Sequence, residues 1–312
     1  KKTTKFLEKN LFCFSKQKNK KFEVILISEN DIVINQNFNL KLKILKSKNN
    51  LPGPKRHLGA TNAQGEILAF IDDDAYPDEK WIDTIYKTVK SKNSITGPAI
   101  SPKYEKLSVL KNLYSSIYFS KFFGGAQHRY FVVKKKFELD DFASVNFALR
   151  KEDYFGTIGF NSKYWPGEDS LLANDMREKK IKITYIPDLV VEHERRSSFN
   201  KFAKQIFRYA YTRGFFAKNK ISNSLKFKYF IPSILLIIFI LGLIFKVNTI
   251  MNFILLYLLI VFVGSLEIIF KVKKIYMIFS FIFIFIGQLI YGYGFLKGII
   301  AEAYNQDQAL IN

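Results

Sequence analysis

Three consecutive carboxylates, Asp72, Asp73 and Asp74, follow the short apolar run from Ile67 to Ile71. A wholly apolar run predicts a strand buried on both faces of a sheet, so the acids fall at its carboxyl end, where open α/β sheets bind ligands. Such close carboxylates repel one another unless a cation neutralises them, and their hard oxygens suit Mg²⁺ or Mn²⁺ holding a diphosphate. The alternative is a solvated turn in which Asp74 or Asp78 caps the next helix.

Two further acids and a histidine have residue types that could do chemistry. Glu168 and Asp169 lie in the first turn of a helix predicted to open at Pro166, where the helix dipole by itself is a sufficient reason for acidic residues. His193 follows the apolar pair Val190 and Val191 at a predicted strand end. It is either a hydrogen-bonded structural histidine or a metal or phosphate ligand, and considered alone the structural role is favoured.

The elements that must position these residues alternate along the chain. Apolar spacing predicts a helix over residues 3–15, and turn formers and apolar periodicity predict helices over 55–63 and 81–89. Short apolar runs predict strands over 22–27, 40–45, 67–71, 95–100, 142–149 and 181–186. Alternation of strands with helices predicts an α/β domain with a parallel sheet.

Composition separates the two ends of the chain. The 48 Lys and Arg exceed the 27 Asp and Glu by 21, which is compatible with nucleic acid, an anionic membrane surface or phosphorylated substrates as partners. The last third is dominated by Ile, Leu and Phe, which favours the membrane, and no nucleic-acid-binding motif competes, so we expect no nucleic-acid partner. The single cysteine, Cys13, excludes an intramolecular disulfide.

Three apolar segments near the carboxyl terminus are about as long as a bilayer is thick. They cover residues 229–245, 250–270 and 275–296 and predict three transmembrane helices. The basic loop Lys271–Lys274 lies between the second and third, whereas the tail after Lys297 has no basic residue. The positive-inside rule therefore places residues 271–274 and the amino-terminal domain in the cytoplasm and the tail outside.

A basic amphipathic helix is predicted immediately before these segments, over residues 198–217. Phe202, Ile206 and Ala210 fall on one side, and Lys201, Lys204 and Arg208 share another. This pattern is typical of an interfacial helix lying on an anionic leaflet. The alternative is an ordinary packed surface helix.

Taken together, the motifs resemble the inverting family 2 glycosyltransferases with a GT-A fold, over roughly residues 3–216. The segment Lys55-Arg56-His57-Leu58-Gly59 resembles the family's A-R-N-x-G motif, and Phe70-Ile71-Asp72-Asp73-Asp74 resembles its D-x-D signature. Gly167-Glu168-Asp169 resembles the later acidic motif. Gln205-Ile206-Phe207-Arg208-Tyr209 is similar to the Q-x-x-R-W motif of processive synthases, with Tyr in place of Trp.

The resemblance implies a role for each matching residue. Asp72 and Asp74, with His193, would hold a divalent metal, Mg²⁺ or Mn²⁺, and Asp169 would be the catalytic base with Glu168 orienting the acceptor or the base. The implied contacts to the nucleotide-sugar donor are Glu29, Arg56, Asp72, Asp73 and Arg208, and those to the acceptor are Gln205, Tyr209 and Asn146.

The chain departs from the family pattern at two points, and the first bears on the expected domain boundaries. The family begins with a strand of the type V-S-V-I-I-P-x-Y-N, whereas this chain begins at what resembles the first helix, which favours truncation; Glu29 stands where the family more often has paired Asp. We expect a GT-A domain over 1–197 lacking that strand, an interfacial helix and linker over 198–227, a three-helix transmembrane region over 228–300 and a polar tail over 301–312.

The sequence therefore predicts a metal-dependent inverting glycosyltransferase. Its expected acceptor is a membrane-associated, lipid-linked glycan used in cell-surface polysaccharide or glycoconjugate synthesis, and its expected place is the cell membrane, multi-pass, with the catalytic domain cytoplasmic. One alternative is a processive polysaccharide synthase, motivated by Gln205–Tyr209, although three spans are few for a polymer channel. Another is a non-catalytic assembly subunit derived from a transferase, which the missing strand supports and the presence of Asp72, Asp74, Asp169 and Arg208 opposes.

Overall fold

The computed structural model describes residues 4–34, 38–101, 108–121, 123, 127–160, 162–196, 198–246 and 248–305. By its internal contacts the chain forms two compact units. The first comprises Lys1–Pro102 and Phe131–Glu194, and the second comprises Lys103–Tyr130 and Arg195–Asn312. Segment 103–130 thus belongs to the second unit. The predicted boundaries of the GT-A domain, linker and transmembrane region stay predictions, and residues 306–312 of the predicted tail lie outside the described residues.

Helices and strands alternate through the first two thirds of the chain, and long helices follow. In chain order the elements are α1 (Lys5–Ser15), β1 (Val24–Ser28), β2 (Leu42–Lys46), α2 (Pro52–Asn62), β3 (Ile67–Ile71), β4 (Ala75–Pro77), α3 (Trp81–Thr88), β5 (Asn93–Thr96), β6 (Ala99–Ile100), α4 (Val109–Ser116), β7 (Phe137–Leu139), β8 (Asn146–Arg150), α5 (Lys151–Phe155), α6 (Glu168–Glu178), β9 (Lys182–Tyr185), β10 (Val191–His193), α7 (Phe199–Lys218), α8 (Ile231–Phe245), α9 (Asn248–Val272) and α10 (Ser280–Ile300). The strand before the three acids ends at Ile71, as predicted.

The strands of the first unit form three sheets, with orders β1-β2, β4-β10-β6 and β3-β8-β5-β9-β7. Pairing is parallel in β1–β2, β5–β9 and β6–β10, but β8 runs antiparallel to both β3 and β5. The prediction of a parallel sheet is therefore wrong for the strand that carries the acids. Strands joined by a simple crossover helix are expected to be parallel. This expectation does not apply to β8, because the chain between β6 and β8 passes through segment 103–130 of the second unit.

Strands β1 and β3 are each paired along one side only in the described part of the chain. Strand β1 pairs with β2, and β3 pairs with β8. Side chains of the two strands nevertheless meet the same apolar core, where Val24 of β1 and Ile67 and Ile71 of β3 pack around Trp81 and Ile95. The β1–β2 pair is thus held to the unit by side-chain packing.

An aromatic core lies beneath the elements that carry the acids. The Phe142 and Phe147 rings stack with centroids 3.8 Å apart, and the Phe70 ring meets the Phe160 ring edge-on at 4.9 Å. Leu172 and other apolar residues of α6 pack into the same cluster. Burial of each such side chain stabilises a fold by roughly 1.5–3 kcal/mol, so β3 and α6 share a rigid support.

In the second unit, α7 packs closely along α10. A Cβ atom added to Gly214 would lie 2.1 Å from the Phe295 carbonyl oxygen, and one added to Gly298 would lie 2.0 Å from the Tyr211 carbonyl oxygen. The two backbones are therefore in direct contact, and glycine is required at both positions. The apolar side of α7, including Phe202 and the residues around it, is buried in this unit, and its placement on a leaflet stays a prediction.

Three helices of the second unit are long and apolar enough to cross a membrane, judged by length and composition. They cover Phe227–Phe245, Asn248–Val272 and Ile275–Ile300, with 19, 25 and 26 residues. In the second of them Glu267 accepts a hydrogen bond from Lys271 Nζ at 2.9 Å and another from Gln127 Nε2 at 3.0 Å. The acid within this apolar helix is thus paired.

The first residues of the tail are hydrogen-bonded to α7. Tyr304 Oη lies 3.0 Å from Thr212 Oγ1, and Tyr211 Oη accepts a hydrogen bond from the Asn305 N–H at 3.1 Å. The start of the tail therefore lies beside the carboxyl-terminal half of α7, and its predicted position outside stays a prediction.

Candidate active site

The turn that carries the three acids joins β3 to β4 and is held from outside by α1. The Ala75 N–H donates to the Asp72 carbonyl oxygen at 3.1 Å. The buried Asn10 side chain donates through Nδ2 to the carbonyl oxygens of Asp72 at 3.3 Å and Ala75 at 2.5 Å. Sequence reasoning missed Asn10, because the spacing of α1 identified only its apolar residues as buried.

Asp72, Asp74 and His193 form a group that could hold a divalent metal ion. One ligand atom from each lies within 4.8 Å of the others. Strand β10 runs antiparallel to β4 and sets His193 opposite Ala75, so that His193 Nε2 lies 3.1 Å from Asp74 Oδ1. Carboxylate oxygens suit Mn²⁺ and Mg²⁺ alike, and an imidazole nitrogen favours the transition metal Mn²⁺ of the two. The structure thus joins the three residues predicted as metal ligands.

The alternative of a capped helix is not what this turn forms. Helix α3 begins at Trp81 with no side-chain hydrogen bond from its N-cap residue Lys80. Asp78 Oδ1 accepts the Lys80 N–H at 2.7 Å in the turn before the helix, whereas Asp74 faces His193. Partial burial and the neighbouring Asp74 and Asp72 carboxylates raise the pKa of Asp73.

Arg56 of α2 lies between two carboxylates. Its Nη2 donates to Asp72 Oδ1 at 2.8 Å, and its Nη1 donates to Glu168 Oε1 at 2.9 Å. Burial by itself would lower the pKa of Arg56, but Asp72 and Glu168 raise it above its ordinary value, so the guanidinium stays charged. The sequence predicted that Arg56 contacts the donor; in this structure both terminal nitrogens bind protein carboxylates.

Glu168 and Asp169 occupy the first turn of α6. The N-cap residue Gly167 has φ of 128°, which favours glycine, and its N–H donates to Glu168 Oε2 at 3.1 Å. Glu168 is buried with both oxygens engaged, which ties it to Arg56. Asp169 is half-buried, and its Oδ1 accepts the Ser170 N–H at 3.0 Å. The predicted base therefore has a defined orientation.

Two other predicted contact residues of this unit have protein partners. Glu29, just beyond the end of β1, forms an ion pair with Lys55 of α2. Asn146 is fully buried, and its amide accepts from Trp81 Nε1 at 2.9 Å and donates to the Leu189 carbonyl oxygen at 2.6 Å. The prediction that Asn146 contacts the acceptor is therefore wrong, because its side chain is fully buried and is hydrogen-bonded to α3 and to the segment between β9 and β10.

Gln205, Arg208 and Tyr209 belong to α7 in the second unit. Gln205 accepts from Arg196 Nε at 3.3 Å, and its Nε2 donates to Tyr209 Oη at 3.4 Å. Burial and the nearby Arg196 lower the pKa of Arg208. The three residues thus share one side of the helix with a second arginine, as expected of residues three and four apart. Their predicted contacts to donor and acceptor stay predictions.

The metal-ligating acids lie just beyond the end of β3, and open α/β sheets bind ligands at the carboxyl ends of their strands. The family model described as glycosyl transferase family 2 matches residues 4–154. Over these residues the chain is similar to glycosyltransferase family 2, in agreement with the resemblance. No curated protein matches the sequence.

The solved structures similar to the chain include a mannosyltransferase. GalNAc-T7 with UDP, GalNAc and Mn²⁺ is 13% identical with a TM-score of 0.46, over 70% of this chain and 50% of that one. The mannosyltransferase PcManGT from Pyrobaculum calidifontis with GDP-Man and Mn²⁺ is 14% identical with a TM-score of 0.44, over 67% and 59%. S. aureus TarS 1-349 is 15% identical with a TM-score of 0.38, over 68% and 63%. The chain thus spans between 50% and 63% of the length of these proteins.

Proposed function

We propose that the chain is a metal-dependent inverting glycosyltransferase that moves a sugar from a nucleotide-sugar donor to a membrane-associated, lipid-linked glycan. The observation that carries the proposal is the group of Asp72, Asp74 and His193, within 4.8 Å of one another, in a unit that matches a glycosyltransferase family. These residues would hold Mn²⁺ or Mg²⁺. When bound, such an ion supplies Lewis-acid stabilisation of the diphosphate leaving group.

Asp169 is the proposed base of the reaction. The acceptor hydroxyl attacks the anomeric carbon on the face opposite the diphosphate, and the new C–O bond forms as the bond to the diphosphate oxygen breaks. The hydroxyl proton passes to the Asp169 carboxylate, and attack from the opposite face inverts the anomeric centre. The Ser170 N–H, 3.0 Å from Asp169 Oδ1, supports this role because it fixes the direction of the carboxylate.

The remaining predicted contacts are proposed on the resemblance. The proposed donor contacts are Glu29, Arg56, Asp72, Asp73 and Arg208, and the proposed acceptor contacts are Gln205 and Tyr209. Glu29 already pairs with Lys55, so it would meet the donor as part of an ion pair. Such a pair presents both a hydrogen-bond acceptor and a donor to a nucleotide.

The proposed acceptor lies in the membrane. Support comes from the three apolar helices, which are long enough to cross a bilayer, and from the basic side of α7 with Lys201, Lys204 and Arg208. We place the protein in the cell membrane with several crossings and the catalytic unit in the cytoplasm. The product would enter cell-surface polysaccharide or glycoconjugate synthesis.

The test is a donor and acceptor screen on the full chain in lipid nanodiscs. We expect sugar transfer to a lipid-linked acceptor only with Mn²⁺ or Mg²⁺, and loss of transfer in Asp74→Asn but not in Asp188→Asn, a control acid exposed elsewhere in the same unit. Transfer to soluble sugars alone would contradict the acceptor. A ladder of products would favour a processive synthase. Absence of both metal-dependent donor binding and donor hydrolysis would favour a non-catalytic subunit.

A further inference from the structure

The Arg56 guanidinium connects two carboxylates that have different roles in the proposed reaction. Asp72 belongs to the metal-ligating group, and Glu168 precedes the proposed base Asp169 in the first turn of α6. The two hydrogen bonds, at 2.8 Å and 2.9 Å, leave from separate nitrogens of one group. Because a guanidinium is planar with a rigid fork of donors, it sets the separation of the two carboxylates.

Burial makes this connection strong. The side chains of Arg56 and Glu168 are 15% and 5% exposed, whereas Asp72 is 33% exposed and can face a ligand. Hydrogen bonds between charged groups in such surroundings are stronger than neutral ones. Removal of one partner leaves the other charge buried and uncompensated. The buried Glu168 carboxylate therefore needs Arg56 to compensate its charge, and Arg56 has a second partner in Asp72.

Helix α2, which carries Arg56, and helix α6, which carries Glu168, are in contact. A Cβ atom added to Gly53, in the first turn of α2, would lie 2.7 Å from the Phe160 carbonyl oxygen and 3.4 Å from Glu168 Cβ. The Arg56 guanidinium also lies 5.5 Å from the Phe160 ring centroid. The position of Arg56 relative to α6 is thus fixed by backbone packing, so a change at Asp72 is transmitted to α6 rather than absorbed by a flexible side chain.

We propose that Arg56 is a positioning residue that couples divalent-cation binding at Asp72 to the placement of the α6 turn that carries Asp169. The inference rests on the proposed function, which takes Asp72 as a cation ligand and Asp169 as the base. Asp72 divides its negative charge between Arg56 and a bound cation. The strength of the Arg56–Glu168 pair and the affinity for the cation therefore depend on one another, and this dependence is reciprocal.

The test is a double-mutant cycle read by Mn²⁺ affinity, measured calorimetrically on the full chain in nanodiscs without any donor. In the parent background we expect Glu168→Gln to weaken Mn²⁺ binding about fivefold, the lower end of typical couplings, because Arg56 then pairs mainly with Asp72. In an Arg56→Met background the same change is expected to leave Mn²⁺ affinity unaltered. An equal factor in both backgrounds would overturn the coupling.

Two further variants separate coupling from loss of structure. Arg56→Lys keeps the charge but replaces the rigid fork of two nitrogens by a single ammonium on a flexible stem; it repeats the cycle if Arg56→Met does not fold, and we expect a weaker coupling in it than in the parent. Arg150→Met is the matched control, because Arg150 pairs with Glu152 at 3.1 Å on the surface; its Mn²⁺ affinity should equal that of the parent. A parent that binds no Mn²⁺ would contradict the proposed function itself, whereas binding with additive effects would overturn only the role of Arg56.

Discussion

At the scale of single residues, charge is balanced in pairs around the α6 turn. Glu168 and Asp72 share Arg56, and Asp74 faces His193. Asp169, the proposed base, is tied to the backbone N–H of Ser170. Glu168 and Asp74, its neighbours in the predicted site, thus have partners in Arg56 and His193.

Asp169→Asn keeps the size of the side chain and removes its capacity to accept a proton. We expect transfer to fall by about 10²–10⁴-fold, the usual contribution of a general base, while donor and Mn²⁺ affinity stay near those of the parent. Turnover and calorimetric donor binding in one preparation check this. Glu178→Gln, at the exposed far end of α6, is the control. Parental turnover in Asp169→Asn would exclude Asp169 as the base.

His57 makes the stability of the first unit depend on pH. Its Nδ1 lies 3.1 Å from Tyr154 Oη, and burial raises the pKa of Tyr154 to about 12, so the hydroxyl keeps its proton. The Phe160 N–H donates to that same oxygen, which leaves the hydroxyl proton for a neutral His57 ring. Burial also lowers the pKa of His57 below its unfolded value.

The direction in which stability changes with pH follows from proton binding to His57. Below the unfolded pKa of about 6.5, the unfolded chain takes up a proton that the folded His57 does not, so the free energy of unfolding falls as pH decreases through that value and further through the folded pKa. We expect the midpoint of thermal unfolding to drop less in His57→Gln than in the parent between about pH 7.5 and about pH 5.5. Equal drops in the two proteins would remove His57 as the cause.

At the scale of elements, pairing of β10 with β4 creates the metal-ligating group, and close packing of α7 on α10 builds the second unit. The first depends on an antiparallel register that sets His193 opposite Ala75. The second depends on glycines that let backbones touch, as at Gly298 beside Tyr211. Both are contacts between elements far apart in the sequence, so each can be broken by one side chain.

Gly298→Val tests the α7–α10 contact. The new Cβ would fall 2.0 Å from the Tyr211 carbonyl oxygen, so the helices must separate, and overpacking of this kind costs about 1–3 kcal/mol. We expect a lower midpoint of thermal unfolding for the detergent-solubilised chain. Ile282→Val, at a position 42% exposed on the same helix, should leave the midpoint unchanged. A parental midpoint in Gly298→Val would mean that the two helices are not in backbone contact.

At the scale of the whole molecule, the second unit limits how the chain can cross a membrane. The start of the tail is hydrogen-bonded to α7 through Tyr211 and Thr212. The tail therefore begins beside the carboxyl-terminal half of α7, a helix that packs along α10. The positive-inside rule counts apolar segments and does not include their packing, and the side of the membrane that it assigns to the tail stays a prediction.

Cysteine labelling in intact cells measures this directly. The native thiol is first removed by Cys13→Ser, and Lys201→Cys on α7 or Asn305→Cys in the tail is then introduced singly. The positive-inside rule predicts that an impermeant maleimide labels Asn305→Cys and not Lys201→Cys in intact cells, since it places the tail outside and the amino-terminal domain in the cytoplasm. Both should react after permeabilisation, which serves as the control. Equal labelling of the two in intact cells would contradict the predicted arrangement.

The sequence by itself determined the features that depend on near neighbours. The apolar run of β3 followed by Asp72, the acids in the first turn of α6 and the three long apolar helices are local patterns, and each was found at its predicted place. Composition and apolar periodicity each predict the structure of one helix or strand at a time. The metal-ligating residues could be proposed in addition because they match a motif.

Tertiary structure alone decided how these features meet. His193 and Asp74 are 119 residues apart, and Arg56 and Glu168 are 112 apart, so their pairing depends on strand order and helix packing that no local pattern contains. The same holds for Asn146, whose residue type suits a ligand contact but whose position between strands buries it. Side chains are brought into a site by the path of the whole chain, as Arg56 is where it bridges Asp72 and Glu168.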